Sequence, residues 1–562
     1  MSSDIQKGKH NASLFSLNES AAQAFSQIAE YLQLRGENPF KIKAYIKASR
    51  VLRDLEEDLD EISRRGELKS ISGVGKAIAD KLEDFLATGK ISQLEALKKE
   101  IPAGLVQIAS LPGLGAKKTV ALHKELGVSS LQELRDACLE ERLETVKGFS
   151  KKSQAKYLEL VEKALVSDVT FVKSRLEEWG RQTCERLSDV SGVESVLVVG
   201  DVRRRTPFAD RLEILLLCTD PQAARQDVLH RTSAGGASAT EDGEQLVLSH
   251  PSGCPIYLSF EGTGQAGWEI LRRTGPESFV AHFKPCSGAL EEDVFRQASL
   301  DFVPPELREH ESPWEAGPLL EVEQVKGNLH AHTTWSDGAH SLEEMVEEAR
   351  RRGHHYFGVS DHSRSLVIAN GLTIERLREQ ADQVRTLDAT LEEFRVFRSV
   401  ECDILEDGEL DYPDEVLDEL DYVVAAVHSF FHLDSETMTQ RLLRGIAHPK
   451  VRVLAHPTGR RLTKRDGYSA DWASVFEACA GGGVALEINA SPWRLDISEE
   501  LLKLAISKGC LISINTDAHS VGEFEYLRHG VDMARRVAVD PDRVVNTWSV
   551  ERLSKWFELG TD

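Results

Sequence analysis

Between residues 326 and 562, seven short apolar runs each end in a polar or metal-capable side chain, at KGNLH, YFGVSD, VFRSVE, YVVAAVH, VRVLAH, VALEIN and LISINTDAH. Helical stretches separate them, and alternation of β and α at this density predicts a parallel barrel or a doubly wound sheet. In a barrel of parallel strands the C-terminal ends converge on one rim, so side chains far apart in sequence meet there. The first run places His330 and His332 two residues apart, on the same side of a strand, with Asp337 five residues further on. The others contribute Asp361 and His362, Glu401, His428, His456, and the pair Asp517 and His519. A lone histidine at a strand end is usually structural, but a row of them at consecutive ends is not expected by chance. His330, His332, Asp337, His362, Glu401, His428, His456, Asp517 and His519 form a sulfur-free set of nitrogen and oxygen donors suited to two or three divalent ions such as Mn, Zn or Fe. A shared carboxylate such as Glu401 can bridge two ions at the spacing that generates hydroxide and clamps a phosphate. His340, His354, His355, His432, His448 and His529 fall outside this pattern and read as surface or packing residues.

The 562 residues are enough for three or four domains, and 41% hydrophobic residues allow each a core. No apolar run is long enough for a transmembrane helix, the first residues lack a secretory pattern, and eight scattered cysteines fit buried thiols in a reducing cytoplasm. A cytoplasmic protein with no membrane partner is therefore expected. The net charge of −24 argues against indiscriminate nucleic-acid binding, but it is unevenly spread. Residues 1–165 carry 26 Lys and Arg against 24 Asp and Glu, whereas residues 326–562 carry 27 against 41.

The balanced segment, residues 15–165, has helical periodicity and two glycine hairpins, Ile71-Ser72-Gly73-Val74-Gly75-Lys76 and Leu111-Pro112-Gly113-Leu114-Gly115-Ala116-Lys117-Lys118. A weaker copy, Val146-Lys147-Gly148-Phe149-Ser150, lacks the second glycine. Such turns let a backbone approach closely, and the following helix start offers free N–H groups to a phosphate. Gly73, Gly75, Lys76, Gly113, Gly115, Lys117 and Lys118 are thus candidate DNA-binding residues that see the sugar-phosphate backbone and not the bases. Two tight inter-helix turns without any ligand would look similar. Residues 166–290 mix helix with apolar runs such as SVLVVG and LEILLLC and read as α+β; the proline-dotted residues 291–325 read as a linker or closing subdomain.

The motifs HAHTTWSDG, SDHSRSLVIANGL, ECDILEDGELDYPDEVL, AVHSFF, LAHPTGR, LEINASPWRLD and INTDAHS resemble the polymerase-and-histidinol-phosphatase (PHP) domain of bacterial family X DNA polymerases. That resemblance implies a distorted seven-stranded (β/α)7 barrel with a trinuclear site: one ion on His330, His332, Glu401 and Asp517, a second on Glu401, His428 and His456, a third on Asp337, His362 and His519. It implies Mn-dependent phosphodiester hydrolysis of the 3′-5′ exonuclease type, with AP-endonuclease activity and 3′-end cleaning as further activities of the family, and with Glu401 and Asp517 in catalytic roles. Arg460, with Arg461 and Lys464, is a candidate for neutralising the phosphodiester, although a solvated loop is an equal reading. Nine acidic residues in 406–421 would repel non-specific DNA if they lie beside the site.

The segment GVGKAIADKLEDFLATGKI resembles the 8-kDa lyase domain of the same family, and the resemblance puts its Schiff-base lysine at Lys81, with Lys41 and Lys43 as supporting charges. In the middle, residues 200–213 resemble the family's palm motif, and the resemblance implies a nucleotidyltransferase-like fold there. In this alignment Arg211, Glu213 and Tyr257 stand where the polymerase needs three carboxylates, and Asp201 replaces a triphosphate-binding serine. A one-residue shift would save Asp210 but bring Leu212 into the second place. Arg273-Thr274-Gly275-Pro276 still resembles a family turn.

The expected organisation is a lyase-like helical domain over 1–95, helix-hairpin-helix fingers over 96–165, a degenerate palm over 166–260, a thumb-like segment and linker over 261–325 and the PHP domain over 326–562. The expected function is processing of gapped, abasic or 3′ DNA ends with polymerase activity lost. An active gap-filling polymerase, a small-molecule phosphatase and a non-enzymatic DNA adaptor are the alternatives. The fragment 326–562 alone is expected to keep its metals.

Overall fold

The computed structural model describes residues 17–53, 55, 57–166, 170–234, 239–250, 252–309, 317–462 and 464–559. The described part of residues 17–166 is helical and contains no strand. Helix Leu17–Arg35 buries Ala21, Ala22, Phe25, Ile28, Ala29 and Leu32, which lie three or four residues apart on one face. Helix Lys76–Thr88 buries Ile78, Ala79, Leu82 and Phe85 and stops at Gly89, whose φ of +71° closes the last turn. A single core runs from Ala21 to Val161, across the domain boundary expected near residue 95.

The middle region contributes strands β1 (Phe171–Val172), β2 (Val193–Val199), β3 (Phe208–Ala209), β4 (Leu212–Cys218), β5 (Ala239–Asp242), β6 (Gln245–Ser249) and β7 (Pro255–Gly262). Five of them form a mixed sheet in the order β2-β4-β7-β6-β5, with β4 and β7 parallel and the other neighbours antiparallel. LEILLLC is almost continuously apolar because β4 is central and most of it is buried. Beyond the sheet, Phe279, Phe295 and Phe302 pack around the buried Arg308, which also pairs with Glu291 at 2.6 Å.

The seven runs expected in the C-terminal segment are all strands. They are β8 (Gly327–Asn328), β9 (Tyr356–Val359), β10 (Arg395–Arg398) continuing after a two-residue break as β11 (Glu401–Asp403), β12 (Val423–Ala426), β13 (Val451–Leu454), β14 (Ala485–Asn489) and β15 (Ile512–Asn515). All pairings are parallel, in the orders β10-β9-β8 and β11-β12-β13-β14-β15. Parallel bridges His362↔Glu401 and Ala331↔Ala518 join the two sheets at both edges.

The middle region is seated on this segment. Val172 and Leu320 belong to the same buried core as Val423, Leu486 and Ile514, and Phe208 packs against it. Helix Leu527–Arg536 carries the polar half of the seam. Asp532 pairs with the buried Lys173 and with Arg205, Arg535 with Glu306 at 2.7 Å and Glu321 at 2.6 Å, and Arg536 with Glu309 at 2.6 Å. Sequence periodicity placed the boundary at 326, but the C-terminal core and its charges draw partners from both sides of it. His529, read as an ordinary packing residue, sits buried in this seam. Among the described residues no helix is long and apolar enough to cross a membrane.

A candidate metal centre at the strand ends

Each strand of the C-terminal segment delivers its last residues to one place. Glu401 lies at the middle of the cluster. Its Oε1 is 2.8 Å from His456 Nε2, 3.2 Å from His428 Nε2 and 3.5 Å from His330 Nε2, and its Oε2 is 2.7 Å from His362 Nδ1. Asp517 Oδ1 is 3.0 Å from His332 Nε2 and 3.6 Å from His330 Nε2. Asp337 Oδ1 is 3.6 Å from His362 Nε2 and 3.5 Å from His519 Nε2. All nine donors expected from the sequence therefore meet. Three groupings have mutually close ligand atoms: His332, Asp337, His362 and His519; His330, His332 and Asp517; His362, Glu401 and His428.

The chemistry of the cluster fits divalent cations. His330 Nε2, His332 Nδ1, His362 Nδ1, His456 Nδ1 and Glu401 Oε2 are buried and have no hydrogen-bond partner; the 2.7 Å approach of His362 to Glu401 is misaligned for one. Orphaned buried polar atoms are costly, and those of them that approach one another at the cluster, His330 Nε2, His362 Nδ1 and Glu401 Oε2, are explained by cations that accept their lone pairs. The ring centroids of His362 and His519 each lie 4.3 Å from that of His332, close spacing for three imidazoles that a shared ion would hold together. His456 and Asp517 have φ of +28° and +52°, backbone strain of about 1–3 kcal/mol each that the surrounding packing has to hold.

The titration of these groups follows from burial against paired charge. Burial lowers His332 to about 3, with His362 and His519 adding like-charge repulsion. Burial also opposes protonation of His428 and His519, but Glu401 and Asp403 raise the first to about 10, and Asp337 and Asp517 raise the second to about 9. Burial raises Glu401 and Asp517, yet the surrounding histidines hold both well below the usual carboxylate range. Both therefore stay anionic donors at neutral pH.

A second ring, missed in the sequence, orients the first. Glu487 Oε1 is 2.7 Å from His330 Nδ1, and its Oε2 accepts the His456 backbone N–H at 2.7 Å. Asp403 Oδ1 is 2.7 Å from His428 Nδ1, and Asn489 donates to Asp517 at 3.1 Å. Such partners select the tautomer and aim the imidazole. Their signal was present: Asp403 is two residues after Glu401, and Glu487 two before Asn489, the same-side spacing that paired His330 with His332. Asp361 does not join the cluster. It accepts from Thr333 N at 2.8 Å and Thr333 Oγ1 at 2.7 Å, holding the loop that carries Asp337.

Arg460, in the loop after His456, is engaged by the backbone. Its guanidinium donates to the carbonyls of Arg494 at 3.1 Å and Ile497 at 3.3 Å, and it braces that loop because the carbonyls there need donors. Arg461 and Lys464 are exposed. The arginine beside the donors is Arg494, with Nε 3.4 Å from Asp517 Oδ2. Part of the acidic run is structural: Asp411 accepts from Ser365 N at 2.6 Å and pairs with Arg364 at 3.2 Å.

The three glycine turns share one geometry. Val74 N–H donates to Ile71 O at 2.9 Å, Leu114 to Leu111 at 3.1 Å and Phe149 to Val146 at 3.1 Å, with φ of +89°, +84° and +96° at Gly73, Gly113 and Gly148. The positive φ in the third turn position is why glycine recurs there. A helix starts at Lys76 after Gly75, and another at Gly115. Lys76 and Lys117 are exposed, whereas Lys118 turns inward and donates to Gly113 O and Tyr157 Oη, both at 2.8 Å. Lys81 is half-buried and donates to Ala77 O at 3.1 Å; Lys41, paired with Glu37 at 3.1 Å, and Lys43 are exposed.

In the middle sheet, Glu213 and Tyr257 are register neighbours on β4 and β7. Arg211 Nε lies 3.4 Å from Glu213 Oε1, and its guanidinium sits 5.1 Å from the Tyr257 ring centroid. Gly200, at φ +64°, leaves room for Glu213: a Cβ there would come within 1.9 Å of its Oε2. The shifted alignment is disfavoured, since Leu212 is fully buried in the core. Asp201 pairs with Arg204.

Comparison with known proteins agrees with this geometry. Residues 16–91 match the helix-hairpin-helix domain family, residues 105–156 the SAM-like helix-hairpin-helix tandem and residues 328–491 the PHP domain. The chain is 34% identical over 552 residues to the DNA polymerase/3'-5' exonuclease PolX of Bacillus subtilis (strain 168), an alignment covering 93% of this chain and 96% of that protein. It is 28% identical over 246 residues to the probable phosphatase YcdX of Escherichia coli O81, covering 41% of this chain and 93% of that protein. A probable phosphatase of Syntrophotalea carbinolica is 25% identical over 230 residues, 39% of this chain and 90% of its own length.

Proposed function

Because the chain belongs to the PolX family of DNA polymerase/3'-5' exonucleases, we propose that it is a metal-dependent phosphoesterase that trims DNA ends, with a silent polymerase site. The observation that carries this reading is the convergence of nine nitrogen and oxygen donors, several of them orphaned, with Glu401 at their middle. We read the seven joined parallel strands as a distorted barrel and the middle sheet as a nucleotidyltransferase-like palm.

In this reading His330, His332 and Asp517 hold one ion with Glu401; His428 and His456 share Glu401 for a second; Asp337, His362 and His519 hold a third. Bound divalent ions supply an acidified water and neutralise a phosphodiester. The chain's own residues set the geometry. Glu401 spaces the two sites it shares, Glu487 and Asp403 fix the tautomers of His330 and His428, and Arg494 adds a positive charge beside Asp517.

The glycine turns, with Lys76 and Lys117 exposed beside two of them, would hold the sugar-phosphate backbone. Lyase chemistry at Lys81 belongs to the same reading and would be detected by borohydride trapping on an abasic end. The palm reading rests on Arg211, Glu213 and Tyr257: an arginine and a tyrosine stand where two of the three carboxylates of a Mg²⁺ site are needed, and Asp201 beside them is paired with Arg204.

The test is purified protein with Mn²⁺ on 5′- and 3′-labelled single-stranded, gapped and abasic DNA, beside a generic phosphomonoester. Stepwise loss of 3′ nucleotides is expected. Turnover of the monoester alone would favour a small-molecule phosphatase, the activity named for the two shorter relatives.

A further inference from the structure

Trp493 is one of the large apolar side chains left exposed, at 42% of its surface, and it is next in sequence to Arg494, which reaches the metal-donor cluster. It lies in the loop after β14. The next residue, Arg494, has a guanidinium that is only 16% exposed and lies 3.4 Å from Asp517 Oδ2. The Trp493 side chain lies next to Tyr526, in the segment that follows His519 after β15, so two loops on the strand-end rim meet at this indole. Its carbonyl accepts from Leu462 N at 2.8 Å, which ties in the loop after His456. A third anchor comes from the middle region: the guanidinium of Arg175, on helix Lys173–Leu187, sits 5.6 Å from the ring centroid. An indole beside Tyr526, with its backbone carbonyl tied to Leu462 and a guanidinium on one side of its ring, yet open to solvent, is a held platform and not a frayed core residue.

Building on the nuclease reading above, we infer that Trp493 is the stacking platform for the terminal base of the substrate strand, with Arg494 beside its phosphate and Arg175 holding the indole in place. The chemistry selects the occupant. A planar aromatic platform next to a guanidinium and a cluster of metal donors matches a nucleotide, whose base and phosphate are a few ångströms apart; a bare phosphate ester has nothing to place on the indole. Stacking tolerates any base, because every base has a π-face. It does require that the base be unstacked from its own helix, so the preferred substrate class is a single-stranded or frayed end. The middle region then has a part in hydrolysis without any polymerase chemistry: Arg175 is a positioning residue for the exonuclease.

The experiment uses the full chain with Mn²⁺ and two single-stranded oligonucleotides, one ending in an ordinary 3′ nucleotide and one in a tetrahydrofuran abasic residue. For the wild type, KM is expected to be about tenfold lower for the base-bearing end, the low end of what one stacked base contributes. Trp493→Leu should bring the two KM values together, Trp493→Phe should keep most of the difference, and Arg175→Ala should shrink it while Arg175→Lys restores part. A lost cation-π contact predicts that order; a merely structural role for Arg175 would depress both substrates alike. Melting curves identify any variant that has failed to fold, and the Phe and Lys variants retain the packing needed to decide the matter. Equal KM values in the wild type, or a ratio that survives Trp493→Leu, overturns the inference alone. A wild type that cleaves neither oligonucleotide overturns the nuclease reading and this inference with it.

Discussion

Glu401 is the residue on which the C-terminal cluster turns, because five histidines approach its two oxygens. Glu401→Ala removes the shared carboxylate without opening the core, since the side chain lines the strand ends. Nuclease turnover is expected to fall by orders of magnitude, with at least one ion lost by elemental analysis and the melting curve still cooperative. Unchanged turnover in a metal-checked preparation would end the assignment. Glu487 is hydrogen-bonded to His330, the His456 backbone, Asn489 and Asn515. Glu487→Gln keeps the shape but weakens the acceptor that aims His330, so metal affinity should fall by about 10- to 100-fold, read by chelator competition.

Among the elements, the hairpins and the seam helix lend themselves to separate tests. Gly113 has φ +84°, and an alanine there is strained even though its Cβ would meet nothing closer than Tyr157 Oη at 3.6 Å. Gly113→Ala should therefore weaken DNA binding with little change elsewhere in the helical core, and Lys117→Ala should lower the salt dependence of binding by about one phosphate contact. Fluorescence anisotropy across a salt series measures both. In the seam helix, burial lowers His529 to about 3, with Lys173 and Arg528 adding repulsion and Asp532 opposing them. Glu177 is 3.8 Å away. The unfolded chain takes up a proton on this histidine near pH 6.5, whereas the folded one resists until about pH 3. Stability is thus lost as pH falls below 6.5, and the loss levels off near 3. The slope of Tm against pH between 6.5 and 4 should be shallower in His529→Leu than in the wild type.

For the molecule as a whole, the seam argues against independence of the C-terminal segment. Cutting at 326 removes Val172 and Leu320 from its core and leaves Asp532 without Lys173 and Arg205. Each lost apolar side chain is worth about 1.5–3 kcal/mol, and a buried charge stripped of its partner about 3–5 kcal/mol. The fragment 326–562 is expected to melt well below the fragment 170–562, by calorimetry on both with metal present, in place of the independence that periodicity suggested. The whole chain should not extend a primer across a one-nucleotide gap with Mg²⁺ or Mn²⁺, because Arg211 and Tyr257 stand beside Glu213 where the mechanism needs carboxylates. Extension that persists after contaminating polymerases are removed would reverse that reading.

The strand-end donors were legible because a parallel strand carries local information: an apolar run that stops at His428 or His456 already says where the side chain will lie. The glycine hairpins were legible for the same reason, as a positive φ at Gly73 or Gly113 is a demand on one residue. Asp403 and Glu487 were within reach of the same two-residue spacing, but partners of a ligand have no pattern of their own until the ligand is seen beside them. Arg460 and Arg494 could not be separated by sequence, since both follow strand ends and only the path of each loop decides which guanidinium reaches Asp517 and which is consumed by backbone carbonyls. The seam between Lys173 and Asp532, and the seating of Arg175 on Trp493, join residues more than 300 positions apart. Local periodicity determines which elements form; pairing of buried charges and apolar faces over that distance depends on how finished elements pack, and only the tertiary structure decides it.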